Sequence, residues 1–108
     1  MLQRLCDQTA LAVTNAIGTT QAIPFANFAG GMVQNPTGSV ITALTWWASY
    51  NGVTYLALQD GAGSAITSTV AAAKCVPIPA ACFGARFLKA VGTFSAGTSD
   101  TIYLSRKS

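Results

Sequence analysis

The sequence predicts an all-β chain: an antiparallel β-sandwich, jelly-roll-like, built from about seven to eight short strands. Three observations predict it. Thr, Val, Ile, aromatic residues and Gly dominate the chain, which is strand and turn chemistry. There is no glutamate, and Leu, Lys, Arg and Gln do not fall into helical register. Turn signals recur at the short spacing of a sandwich, and 108 residues make one domain.

The elements follow in chain order. Residues 1–8 read as an N-terminal arm, with Leu2, Leu5 and Cys6 packing on a neighbour. Residues 9–108 form the single sandwich domain. A first strand is expected over Thr9–Asn15, then a turn at Gly18-Thr19. A second runs from Thr20 to Phe28, with Ile23, Phe25 and Phe28 as its apolar content. Pro24 inside it calls for an edge strand or a bulge, because proline donates nothing to a ladder. Gly30-Gly31 and Asn35-Pro36-Thr37-Gly38 read as turns or loops.

The strongest local signal is Ser39–Tyr50, then Asn51-Gly52, then Val53–Gln59. Asn-Gly between two β-rich runs predicts a two-residue type I′ hairpin, since both turn residues must accept positive φ. That register pairs Tyr50 with Val53, Ala48 with Tyr55 and Trp46 with Ala57 on one face. On the other it pairs Ser49 with Thr54, Trp47 with Leu56 and Thr45 with Leu58. Each face then carries a tryptophan, so one fills the core and the other needs a further cover.

Asp60-Gly61-Ala62-Gly63 is a second turn. Short strands are expected at Ile66–Ala72 and Lys74–Pro77, with one helical turn or a connection over 79–85. Arg86–Phe94 alternates Arg86-Leu88-Ala90 against Phe87-Lys89-Val91. Asp100–Arg106 closes the chain, with Ile102 and Leu104 on one face and Tyr103 on the other.

Charge excludes most chemistry. Only 8% of residues are charged, against ~25% in ordinary soluble domains. The acids are Asp7, Asp60 and Asp100, and there is no histidine. The usual general base and metal ligand are therefore missing, and neither a Ser–His–Asp nor a Cys–His arrangement can be assembled. Nothing flanks Lys74, Lys89 or Lys107 to suggest a nucleophile. Three scattered aspartates supply no calcium cluster. Cys6, Cys75 and Cys82 are odd in number and read as reduced, mostly buried thiols. The expectation is a non-enzyme with no catalytic residue, cofactor or metal.

The same poverty of charge speaks to surroundings. Residues 8–59, a run of 52, carry no charge, and mean hydropathy is +0.44. No stretch offers the ~20 apolar residues of a spanning helix, nor strands long enough for a membrane barrel. Asp7 and Gln8 interrupt the apolar run that a secretory signal needs. A net charge of +3 falls short of a nucleic-acid patch. Arg86, Lys89, Arg106 and Lys107 instead suit an acidic patch on a protein partner. The reading is a subunit whose surface is covered by other chains.

Certain runs carry a resemblance. They are Ser49-Tyr50-Asn51-Gly52-Val53-Thr54-Tyr55, Asp60-Gly61, Val76-Pro77-Ile78-Pro79-Ala80 and Phe83-Gly84-Ala85-Arg86-Phe87-Leu88-Lys89. Over residues 39–106 this layout resembles small β-sandwich proteins of tailed-bacteriophage virions: head decoration or cement proteins and neighbouring tail components. It also resembles discoidin-like carbohydrate-binding sandwiches. The first resemblance implies a virion protein assembled in the bacterial cytoplasm. Its partners would be copies of itself, a trimer first, and the major capsid protein or another virion protein. Leu2, Leu5, Trp46, Trp47, Tyr55, Arg86 and Lys89 are the expected interface residues. The second implies a glycan platform from Trp46, Trp47, Tyr50 and Tyr55. A tail or baseplate component is the third reading.

Overall fold

A computed structural model of the chain describes residues 6–25, 28 and 30–107. Nine strands among these residues form two antiparallel sheets. They are β1 (Cys6–Thr14), β2 (Ala22–Pro24), β3 (Gly30–Asn35), β4 (Ile41–Ser49), β5 (Leu56–Ala57), β6 (Thr67–Thr69), β7 (Lys74–Pro77), β8 (Phe87–Phe94) and β9 (Ser99–Lys107). One sheet has the order β1-β9-β3-β7 and holds the first and last strands; we call it the terminal sheet. The other has the order β2-β8-β4-β5, with β6 also paired to β4, and holds both tryptophans; we call it the tryptophan sheet. With β5 and β6 counted as one interrupted strand, successive strands and their neighbours have the order of a jelly roll.

Alternation explains the core. Leu11, Val13, Val33, Ile102 and Leu104 face inward from the terminal sheet, and Ile41, Leu44, Trp46, Leu88 and Ala90 from the other. Phe25, Ile78 and Cys82 come from connections and close one end. There Phe25 stacks on Phe83 of the short 3₁₀ turn Ala80–Gly84, with ring centroids 6.3 Å apart. The same end is tied across the sheets by Arg106, whose Nη1 donates to the Pro24 carbonyl at 2.7 Å. Thr20, buried, donates to the Ala90 carbonyl at 2.8 Å and locks the β1–β2 connection onto β8.

Several expectations hold at residue level. β2 with Pro24 is an edge strand. β7 spans Lys74–Pro77 and a helical turn follows it. Ile102 and Leu104 are buried while Tyr103 is exposed.

Others are corrected. Cys6, Asp7 and Gln8 are not an arm: they open β1, opposite Lys107, Arg106 and Ser105. Leu2 and Leu5 lie outside the described residues. Gly30-Gly31 is not a turn but the start of β3, between β9 and β7 in the terminal sheet. The physical reason is close approach: a Cβ on Gly31 would be driven into the Ser105 carbonyl.

The Asn-Gly hairpin is also different. Gly52 has φ 78°, but Asn51 does not adopt positive φ, so the turn is not type I′. Side chains organise the loop instead. Ser49 Oγ accepts from the Asn51 and Gly52 amides, and Asn51 Oδ1 accepts from the Val53 and Thr54 amides. This widens the loop and slips the register by one residue. Trp47 is opposite Ala57 and Ala48 opposite Leu56. A one-residue slip exchanges the partners on each face. The expected second strand, Val53–Gln59, shrinks to β5.

Candidate functional site

The outer face of the tryptophan sheet is built from the positions that alternate with the core. Three rows cross it. Ala57, Trp47, Lys89 and Ala22 form the central row, side by side on β5, β4, β8 and β2. Thr67, Thr45 and Val91 form the next, and Thr69, Ala43 and Thr93 the third. Toward the hairpin end, Ser49 and Phe87 are paired. A bulge between Ile41 and Ala43 keeps β4 in step with β8 from there on.

Lys89 is the single charged residue in these rows, and its ammonium is engaged. Nζ donates to the Ile17 carbonyl at 3.0 Å and sits 4.7 Å from the centroid of the Tyr55 ring. A cation over an aromatic face is attracted by the ring quadrupole. The contact folds the hairpin loop back over the sheet beside Trp47. Burial raises the Tyr55 phenol above its ordinary value. The result is a flat face of Trp, Phe, Val, Ala and Thr whose one cation already has partners.

The two tryptophans divide as their alternation requires. Trp46 is wholly buried, and its Nε1–H donates to Ser68 Oγ at 3.0 Å. Its expected interface role is therefore corrected: it is a core residue. Trp47 is half-buried on the outer face. The structure brings Trp47, Tyr55 and Lys89 together. Arg86 lies apart, at the entry to β8, where it lines a groove with Leu56 and Ala85. A four-aromatic platform does not form, because Trp46 is interior and one face of Tyr55 is occupied by Lys89.

The groove was not visible in the sequence. It opens where β5 ends and the chain leaves the sheet edge, a break that no composition signal marks. Among the described residues, no three His, Cys, Asp or Glu side chains gather as a metal site. Cys75 is exposed, and Cys82 is buried with its thiol pushed up to about 12 by desolvation, so it is a core residue without nucleophilic character. Asp60 accepts from backbone amides of its own loop, and Asp100 accepts from the neighbouring Thr101 amide and from the Val40 amide just before β4.

No family model matches the chain, and no curated protein or solved structure matches it.

Proposed function

We propose that this chain is a non-enzymatic virion structural subunit, a capsid decoration or cement protein that stabilises a shell through subunit contacts. The observation that carries the reading is the sparsely charged outer face of the tryptophan sheet, with Trp47 at its centre and Lys89, its single charge, already engaged. A free soluble domain ordinarily keeps ~25–35% charged residues on its surface. Here the corresponding face of the terminal sheet is as sparsely charged: Ala10, Tyr103, Gln34 and Cys75 make one row, Gln8, Ser105, Met32 and Pro77 the next, and Lys107 stands in the row beyond. The jelly roll is an architecture of viral shells and lectins as well as cupins. The absence of histidine and glutamate from the sequence argues against the metal chemistry of the last. In this reading the protein is assembled in the host bacterial cytoplasm and resides in the virion.

The test is Trp47→Arg in the purified protein, followed by light scattering. The wild type is expected to associate beyond a dimer, and the variant to lose that higher association while keeping its thermal midpoint within a few degrees. A wild type that stays monomeric to millimolar concentration overturns the reading. So does a Trp47→Arg variant that associates as before.

A further inference from the structure

Between β5 and β6 the chain leaves the sheet edge as a short hairpin. Leu58 and Ile66 form its base, where the Leu58 amide donates to the Trp46 carbonyl and the Trp46 amide to that of Ile66. Gln59 pairs with Ala65, and the Asp60 amide donates to the Ser64 carbonyl at 2.9 Å. Residues 59–65 are all exposed. Asp60 is fixed within this knob: its Oδ1 accepts from the Ala62 and Ser64 amides at 2.8 and 3.0 Å. No cation meets its carboxylate among the described residues.

Beside the knob, on the same edge, lies a groove of about 300 Å³. Ala48, Leu56 and Leu58 form one wall, and Gly84, Ala85 and Arg86 the other. Leu56 lies opposite Ala48, which packs on the core, yet Leu56 is 64% exposed. The sandwich is open there. Five large apolar side chains are exposed among the described residues, and three of them, Tyr50, Val53 and Leu56, belong to this corner. Clustering of that kind marks an interaction site rather than scatter. At the rim, the Arg86 guanidinium makes no hydrogen bond or ion pair with any described residue.

We propose that this edge is a two-fold interface between two copies of the chain, in which the Asp60 knob of each enters the groove of the other and its carboxylate meets Arg86. Charge complementarity selects the occupant. The groove has a cation with no partner among the described residues and an apolar floor. The chain's own exposed, preorganised carboxylate stands on a knob of Gly and Ala small enough to enter. Placement selects the symmetry. Knob and groove share one edge, so a two-fold axis across that edge satisfies both contacts at once and closes the pair. A carboxylate–guanidinium pair at a desolvated rim adds direction and specificity to the apolar contact.

The inference rests on reading the chain as an assembly subunit, and a charge exchange separates the two. Asp60→Lys, Arg86→Asp and the double variant are compared with wild type by sedimentation equilibrium, with circular dichroism confirming the fold of each. Each single variant is expected to weaken the dimer about tenfold or more, and the double variant to recover most of that loss. Raising salt is expected to weaken the wild-type dimer as well. Single variants that associate like wild type overturn the proposal. So does a double variant no better than the singles. In either case, higher association that Trp47→Arg still abolishes leaves the subunit reading standing and removes only this contact.

Discussion

β1 and β9 stay in one register over nine residue pairs, from Cys6–Lys107 to Thr14–Ser99. β4 in the other sheet has a bulge toward β8 on one side and a split partner, β5 and β6, on the other. The terminal sheet is a continuous frame that holds the two ends of the described chain together. The tryptophan sheet is interrupted, and each interruption creates a feature: the pinned loop over Phe87, the Asp60 knob and the open groove. A sheet with unbroken pairing leaves few places for a partner to enter. A broken edge exposes backbone and side chains that need cover. On the function proposed above, stability belongs to the frame and recognition to the broken sheet, with one exception that tests the division.

That exception is Trp46, the largest side chain that is fully buried, and it belongs to the broken sheet. Trp46→Ala removes an indole with no exposure and leaves Ser68 without its donor. Truncations of this kind cost about 3–5 kcal/mol, against roughly 5–15 kcal/mol for a whole domain. Urea unfolding is expected to show a loss of that size. Trp47→Ala, one residue away on the half-buried outer face, is expected to cost less than half as much. Equal losses at the two positions would mean that the outer face supports folding as much as the core does, and the contrast would fail.

The frame has its own sensitive point. Gly31 packs against the Ser105 carbonyl of β9, with the Ile78 side chain closing the space beside it. Gly31→Ala pushes a methyl into backbone that two neighbouring strands hold in place. The expected cost is about 1–3 kcal/mol, as for overpacking of a dense interior. Gly30→Ala, with open space at its Cβ, is the matched control and is expected to be nearly silent in the same unfolding experiment. A neutral Gly31→Ala would show that β3 and β9 can separate, and that the frame is looser than its register implies.

Legibility in the sequence follows the same division. β8 and β9 were readable because inward and outward residues alternate along them, and β7 because Pro77 and Pro79 end it. β3 was not, since Gly30-Gly31 carries the composition of a turn. Its strand geometry is imposed by β9 and β7 on either side, which are distant in sequence. The hairpin at Asn51 was legible as a reversal but not as a register. Ser49 and Asn51 side chains bind the loop amides and compete with the tight turn. That one-residue slip decided how the hairpin partners pair. Of the expected contact residues, Trp47 and Lys89 are neighbours because they pair across β4 and β8, and Tyr55 joins them from the loop before β5 by its ring under the Lys89 ammonium. The groove stayed hidden because its walls come from β4, the β5 edge and the turn before β8.

Asp100 ties the two sheets together and gives the smallest effect. It stands on β9, yet its Oδ2 accepts from the Val40 amide, just before β4, at 3.0 Å. Its Oδ1 accepts from the Thr101 amide at 2.8 Å. Partial desolvation alone would raise its carboxyl. The Val40 and Thr101 amides and the Ser39 hydroxyl outweigh that, and the net shift is below the ordinary aspartate value. A depressed carboxylate contributes stability that is present above its unfolded value, near pH 4, and lost as pH falls through the folded value. Asp100→Asn keeps an acceptor and removes the charge. It is expected to lower the thermal midpoint by a few degrees at neutral pH, with the gap from wild type closing as pH drops below about 4. A gap that persists unchanged into acid would assign the loss to altered packing between β9 and the entry to β4. The charge would then have no part in joining the continuous sheet to the broken one.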